Sequence, residues 1–78
     1  MKVLIEIRNS PAKRLFVKLK DKQCMEEVRM FAGKGNYSKA IVAVLAGGEN
    51  VREVGEEEFH LIDADMILTQ KSIHYDLT

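Results

Sequence analysis

The sequence predicts a small α+β domain, in which a mostly antiparallel sheet of four or five strands carries one helix on one face. Two neighbouring segments alternate apolar and polar residues, a third repeats apolar residues at three- and four-residue spacing, and several short apolar runs follow. The predicted element order is β-β-α-β-(β)-β-β. The 78 residues are expected to form a single domain, near the lower size limit for a self-sufficient core.

The first two strands are predicted at residues 2–8 and 14–20, because each segment alternates with period two. The link between them contains Pro11, which suits a turn and not a central strand. We predict a register that places Arg8 opposite Arg14 and turns the apolar residues to one face. The residues on that face are Val3, Ile5, Ile7, Leu15, Val17 and Leu19. The outer face carries Lys2, Leu4, Glu6, Arg8, Arg14, Phe16, Lys18 and Lys20.

A helix is predicted over residues 22–32. Asp21 precedes it and is expected to cap its first turn, and Gly33 is expected to end it in the left-handed conformation. An apolar stripe runs along this helix and should pack on the apolar face of the hairpin. Its members are Cys24, Met25, Val28, Phe31 and Ala32.

Residues 40–46 form the longest uncharged apolar run and have two interpretations. A central strand is favoured, because the segment is rich in β-branched residues and apolar on both faces. A short helix that begins at Ser38 and ends at Gly47 is the alternative, since periodicity does not separate short buried strands from short buried helices. A turn is predicted at residues 47–50.

The rest of the chain is predicted to complete the sheet. Residues 51–54 form a brief strand and residues 55–58 are exposed. Strands follow at residues 59–62 and 66–69, joined by an acidic turn. Alternation over residues 73–77 predicts a last strand.

The net charge of zero hides two halves of opposite sign. Residues 1–39 carry ten Lys or Arg and four Asp or Glu, a net of +6, whereas residues 40–78 carry two and eight, a net of −6. Whether these charges are also separated in space depends on the fold, since neighbouring strands from the two halves can intermix them. If they stay separated, they would steer an oppositely charged partner.

The protein is expected to be cytoplasmic. Cys24 is the only cysteine, so no intrachain disulfide forms, as in a reducing compartment. Glu6 and Arg8 interrupt the apolar start, which argues against a signal peptide. The apolar run at residues 40–46 is far shorter than the roughly 20 residues of a membrane span.

No segment predicts catalysis, a metal site or a cofactor. The glycines of residues 33–36 lack the spacing of a phosphate-binding loop and follow a helix C-terminus. His60, Asp63 and Asp65 would make a poor closed metal site, and Asp-Ala-Asp is ordinary turn chemistry. Cys24 lies on an apolar stripe, where cysteine is usually a small core residue.

These observations favour a small non-enzymatic protein-binding module, an adaptor or inhibitor of a larger assembly of the kind that phages and mobile elements produce. The alternative is nucleic-acid binding through the basic outer face of the hairpin, where basic residues surround one aromatic ring. Opposite charges or an exposed strand edge would also allow two copies to pair. The predicted contact residues are Arg8, Arg14, Phe16, Lys18, Lys20, Glu53, Glu56, Glu57 and Glu58.

Two resemblances concern element order. The hairpin, helix and following segment over residues 2–45 resemble the ubiquitin β-grasp layout, but residues 75–78 are not Gly-Gly, so conjugation or sulfur-carrier chemistry is not implied. Residues 27–33 followed by Ile41, Val44 and Leu45 are similar to a helix-turn-helix, with a turn longer than the usual three to four residues. Neither resemblance assigns a family.

Overall fold

A four-stranded mixed sheet forms the middle layer of the protein. A computed structural model describes residues 1–8 and 11–70. The strands are β1 (Lys2–Ile7), β2 (Lys13–Leu19), β3 (Gly48–Glu53) and β4 (Met66–Gln70), in the order β3-β2-β1-β4. β2 is antiparallel to β1 and to β3, and β4 is parallel to β1. The α+β class is confirmed, and the sheet is antiparallel only in part.

Helices cover both faces of this sheet, so the prediction of a single helix on one face is wrong. The helices are α1 (Lys22–Gly33), α2 (Tyr37–Gly47) and α3 (Glu56–Leu61), and the order over the described residues is β-β-α-α-β-α-β. α1 and α2 pack on one face and α3 on the other. None of these helices has the length and hydrophobicity needed to cross a bilayer.

The hairpin has the predicted faces but a different register. Arg14 lies opposite Glu6, and Val3 lies opposite Val17, so the pairing of Arg8 with Arg14 is wrong by two residues. A shift of two residues keeps every side chain on its face, and alternation therefore cannot detect it. The observed register puts opposite charges side by side, whereas the predicted one would have paired two guanidinium groups.

Specific hydrogen bonds define both ends of α1. The Asp21 side chain accepts a hydrogen bond of 3.0 Å from the backbone N–H of Cys24, which confirms the predicted cap. Gly33 is still helical, so its predicted role is wrong. Gly35 has the positive φ of +76°, and its N–H donates to the carbonyl of Ala32 while the N–H of residue 36 reaches back to residue 31. This is the Schellman ending, which needs glycine two positions after the last helical residue.

The favoured strand at residues 40–46 is instead helix α2. Asn36, not Ser38, caps it, and its side-chain oxygen accepts from the backbone N–H of Lys39 at 3.3 Å. A turn was predicted at residues 47–50, but β3 already begins at Gly48, which is extended. A Cβ on Gly48 would overlap the Val17 side chain and lie 2.7 Å from the backbone oxygen of Val44. The tight exit from α2 into the sheet therefore requires glycine at this position.

α1 and α2 run side by side in opposite directions. Only residues 34–36 join them, and Cys24 in the first turn of α1 lies against Gly47 at the end of α2. At the other end, Lys39 lies over the ring of Phe31 at 6.0 Å. The pair is an αα-hairpin, unlike the crossed helices of a helix-turn-helix. The ubiquitin-like order likewise holds only as far as α1, because a second helix follows where a strand is expected.

In the last part of the described chain, two of the predicted strands match observed strands and one does not. Residues 66–69 lie in β4, and residues 51–54 overlap β3, which starts earlier. The strand predicted at residues 59–62 is wrong, because most of that segment belongs to α3. Residues 55–58 are exposed as expected. The strand predicted at residues 73–77 lies outside the described residues.

Two separate apolar clusters stabilise the layers. The larger cluster lies between the sheet and α1 with α2. Its buried members are Val3, Ile5, Val17, Leu19, Met25, Val28, Ala40, Ile41, Val44 and Leu68. The smaller cluster lies on the outer face of the hairpin and consists of Leu4, Phe16, Val54 and Phe59.

Candidate functional site

The outer face of the hairpin is covered by its own chain. Leu4 has no exposed surface, and Phe16 is only 9% exposed. Phe59 of α3 and Val54 pack directly on them. The sequence predicted that this face would contact a partner protein or nucleic acid. The cover is instead the six-residue helix α3.

Cations of the same chain lie over both aromatic rings of this cluster. The guanidinium carbon of Arg52 is 5.2 Å from the ring centre of Phe16, and that of Arg14 is 5.9 Å from Phe59. Arg52 also donates from Nη2 to Oε2 of Glu58 at 2.6 Å. This bond lowers the pKa of Glu58 below its ordinary value and raises the pKa of Arg52. The Phe16 ring therefore has no open face on which a nucleic-acid base could stack.

Glu6 organises the basic residues at one end of the hairpin. Its carboxylate accepts from Nε of Arg8 at 3.0 Å and from Nε of Arg14 at 3.2 Å. The Glu6 residue is only 7% exposed, yet the hydrogen bond from Arg8, aided by Arg14, keeps its pKa below the ordinary value despite burial. Two of the predicted basic contact residues therefore share one buried acid.

The other predicted basic contacts lie at the opposite end of β2. Lys18 and Lys20 are exposed, and Lys18 is four residues, or about 13 Å, along the strand from Arg14. Lys18 lies between Lys2 on β1 and Glu49 on β3. The structure therefore splits the basic residues into two groups and places acids beside each group.

The predicted acidic contacts are also divided. Glu53 ends β3 opposite Leu15, whereas the other three form the first turn of α3. Carboxylates at that end stabilise a helix through its dipole. Glu56 and Glu57 are exposed, and Glu58 is bound to Arg52.

A groove runs between α1 and α2. It has a volume of about 610 Å³ and is open to solvent. One acidic and one basic residue, Glu27 on α1 and Lys39 on α2, stand on its two walls. The complete lining is Glu27, Phe31, Ser38, Lys39, Val42, Ala43 and Ala46. We refer to it as the α1–α2 groove.

The surface of α2 beside this groove is apolar and uncovered. Val42 is 64% exposed and Leu45 is 42% exposed, although Ala40, Ile41 and Val44 on the other side of the helix are buried. A helix that is apolar all round normally has neighbours on all sides. The sequence prediction missed this surface, because the uncharged run at residues 40–46 favoured a central strand.

One of the remaining candidates, Asp65, has a structural role. Asp65 accepts a 2.8 Å hydrogen bond from the backbone N–H of Lys2 and so holds the start of β1. No group of three or more His, Cys, Asp or Glu side chains in residues 1–8 and 11–70 is arranged to hold a metal ion. A hydrogen bond with Asp21, together with burial, raises the pKa of the Cys24 thiol. A raised pKa leaves less of the reactive thiolate.

The chain was also compared with known proteins. No protein-family model, no curated protein and no solved structure matches it.

Proposed function

We propose that this chain is a small non-enzymatic protein-binding module and that the α1–α2 groove is its docking surface. One observation carries the proposal: α2 exposes Val42 and Leu45 beside an open apolar groove. Exposed apolar surface of this kind, with polar residues at its margin, is typical of protein interaction sites.

Burial of these apolar side chains by a partner would contribute substantially to the free energy of binding. Complete burial of a Val or Leu side chain contributes about 1.5–3 kcal/mol. Val42 and Leu45 are each about half exposed, so a partner that covered both would gain about 2 kcal/mol from these two side chains alone. Phe31 at the base of the groove is partly covered and would add to this gain.

The contact residues that the sequence predicted retain a secondary role in this proposal. Arg8, Lys18 and Lys20 are exposed, as are Glu56 and Glu57. Exposed charges outside a docking surface mainly change the rate of association, because they steer the partner before contact. An adaptor or inhibitor that works in the reducing cytoplasm fits both this arrangement and the single cysteine.

Nucleic-acid binding has less support. The aromatic ring that would stack on a base is covered by Arg52, and the basic residues are separated by acids. Binding of a labelled oligonucleotide between 50 and 200 mM salt separates the two functions. Steep loss of binding over this range would favour the nucleic-acid function, and we expect no binding even at the lowest salt.

The docking surface can be tested by placing a photo-crosslinking amino acid at Leu45 and irradiating cells that produce the protein. We expect a crosslinked adduct that Val42→Glu removes, because a charge in the interface is costly to desolvate. Leu61→Glu is the matched control, since Leu61 is 83% exposed and lies on α3. Absence of any adduct, or equal loss with both variants, would contradict the proposal.

A further inference from the structure

Residues 55–64 cross the outer face of the sheet between two points at which the backbone is fixed. Before them, the N–H of Val54 donates to the carbonyl of Arg14 at 2.9 Å. After them, the N–H of Asp65 donates to the carbonyl of Lys2 at 2.9 Å, and the Asp65 carboxylate accepts from the N–H of Lys2 at 2.8 Å. The part of the chain between these anchors contains α3. We refer to residues 55–64 as the α3 segment.

Side chains alone hold the α3 segment against the sheet. In the part of the chain that the structure describes, its backbone hydrogen bonds stay within the segment, as where Phe59 donates to Gly55 and Ile62 donates to Glu58. The ring of Phe59 is buried against the sheet, and two apolar neighbours in the segment are partly buried beside it. The ion pair between Glu58 and Arg52 also reaches the sheet, but both side chains are about half exposed. Exposed ion pairs contribute little to stability.

The helix in this segment depends on its contact with the sheet. α3 has six residues, and isolated helices shorter than about 12–15 residues are marginal in water. It begins at Gly55 without a side-chain hydrogen bond, whereas Asp21 and Asn36 cap the two longer helices. Loss of the Phe59 contact therefore releases and unwinds the segment as a unit.

We propose that the α3 segment is a lid that opens on its own between Val54 and Asp65, while the sheet, α1 and α2 remain folded. Opening breaks no backbone hydrogen bond of the sheet, and the larger apolar cluster lies on the other face. Regions with few buried contacts open at a lower free-energy cost than the core. The motion uncovers Leu4 and Phe16, so the domain alternates between a covered and an exposed apolar surface opposite the α1–α2 groove.

Native-state hydrogen exchange of the full chain, followed by NMR at low urea concentrations, tests the lid. The amides of Phe59 and Ile62 report on α3, and those of the β1–β2 ladder report on global unfolding. We expect protection factors in α3 to be at least about tenfold lower, with little dependence on urea, because a local opening exposes little surface. The amides of Val54 and Asp65 should be better protected than those of α3, since they belong to the anchors.

Two substitutions separate local from global opening. Ile41→Val removes one methylene from the larger cluster and should speed exchange in the β1–β2 ladder by about two- to tenfold. It should leave the Phe59 and Ile62 amides unchanged, because the lid opens without disturbing that cluster. Phe59→Leu should speed both sets by the same factor, since it destabilises the closed lid relative to the open and the unfolded states alike.

Three results would overturn the proposal. The first is equal protection of the Phe59 and Ile62 amides and the β1–β2 ladder, because α3 would then be released only by global unfolding. The second is equal acceleration of both sets by Ile41→Val, which has the same meaning. The third is exchange of the Val54 or Asp65 amide together with those of α3, which would place the moving boundary inside the sheet.

Discussion

Replacement of Phe59 by alanine should strongly destabilise the protein, because this one side chain attaches α3 to the sheet. Phe59 is the only buried residue of α3 and packs on Leu4 and Phe16. Phe→Ala substitutions in cores cost about 3–5 kcal/mol, and the small size of this cluster argues for the lower end, about 3 kcal/mol.

This loss is large relative to the whole protein. A domain of 78 residues is expected to have an unfolding free energy of about 4–12 kcal/mol. A loss of about 3 kcal/mol should lower the melting temperature by about 15 °C. Urea denaturation followed by far-ultraviolet circular dichroism measures the change in unfolding free energy directly.

Leu61→Ala provides the matched control on the same helix. Leu61 is 83% exposed, so its truncation should change the unfolding free energy by less than about 0.5 kcal/mol. If Phe59→Ala cost less than about 1 kcal/mol, or if the two variants were equally destabilised, the outer face would not be held by α3.

Two further predictions concern single positions. Glu6→Gln should cost about 2 kcal/mol at pH 7, because its carboxylate accepts from both Arg8 and Arg14. Since the pKa of Glu6 lies below its ordinary value of 4.5, the wild type should lose this stabilisation as the pH falls below about 4.5 and through the folded-state pKa. The variant should lose less stability over the same range. If the urea midpoints of the two proteins matched from pH 7 to pH 3, the prediction would be contradicted. Gly48→Ala should cost about 1–3 kcal/mol in thermal melts through overlap with its neighbours, whereas Gly33→Ala, with open space around it, should be neutral or stabilising; equal melting temperatures would refute the close approach.

The hairpin and α1 were predictable because each has a strong periodic pattern. Alternation assigned every hairpin side chain to its face, and Asp21 marked the start of α1. Alternation has a period of two, however, and leaves registers that differ by two residues indistinguishable. The pairing of Glu6 with Arg14 was available as a charge argument and would have selected the observed register.

The errors in the second half of the chain arise at helices whose sequences lack a distinct helical pattern. α2 is apolar on both sides, so its pattern resembles that of a buried strand, and its cap is Asn36, two residues before the candidate Ser38. α3 has only six residues, too few to show a helical period. Phe59 and the residues after it therefore resembled a strand.

The candidate site depended on these assignments. Exposure of Val42 and Leu45 follows only if residues 40–46 are a surface helix, and the prediction of a central strand would have buried them. The cover over Phe16 depends on contacts between residues about forty positions apart, which no local pattern encodes.

The parallel pairing of β4 with β1 has a consequence for the order of folding. Val3 lies opposite Met66, so this contact closes a loop of 63 residues, whereas the β1–β2 hairpin closes within a few residues. Loop-closure entropy rises with the logarithm of loop length, and long-range pairings form late for that reason. One edge of β1 therefore remains unpaired until residues 66–70 arrive, and the backbone amides of β4 should exchange with deuterium sooner than those shared by β1 and β2.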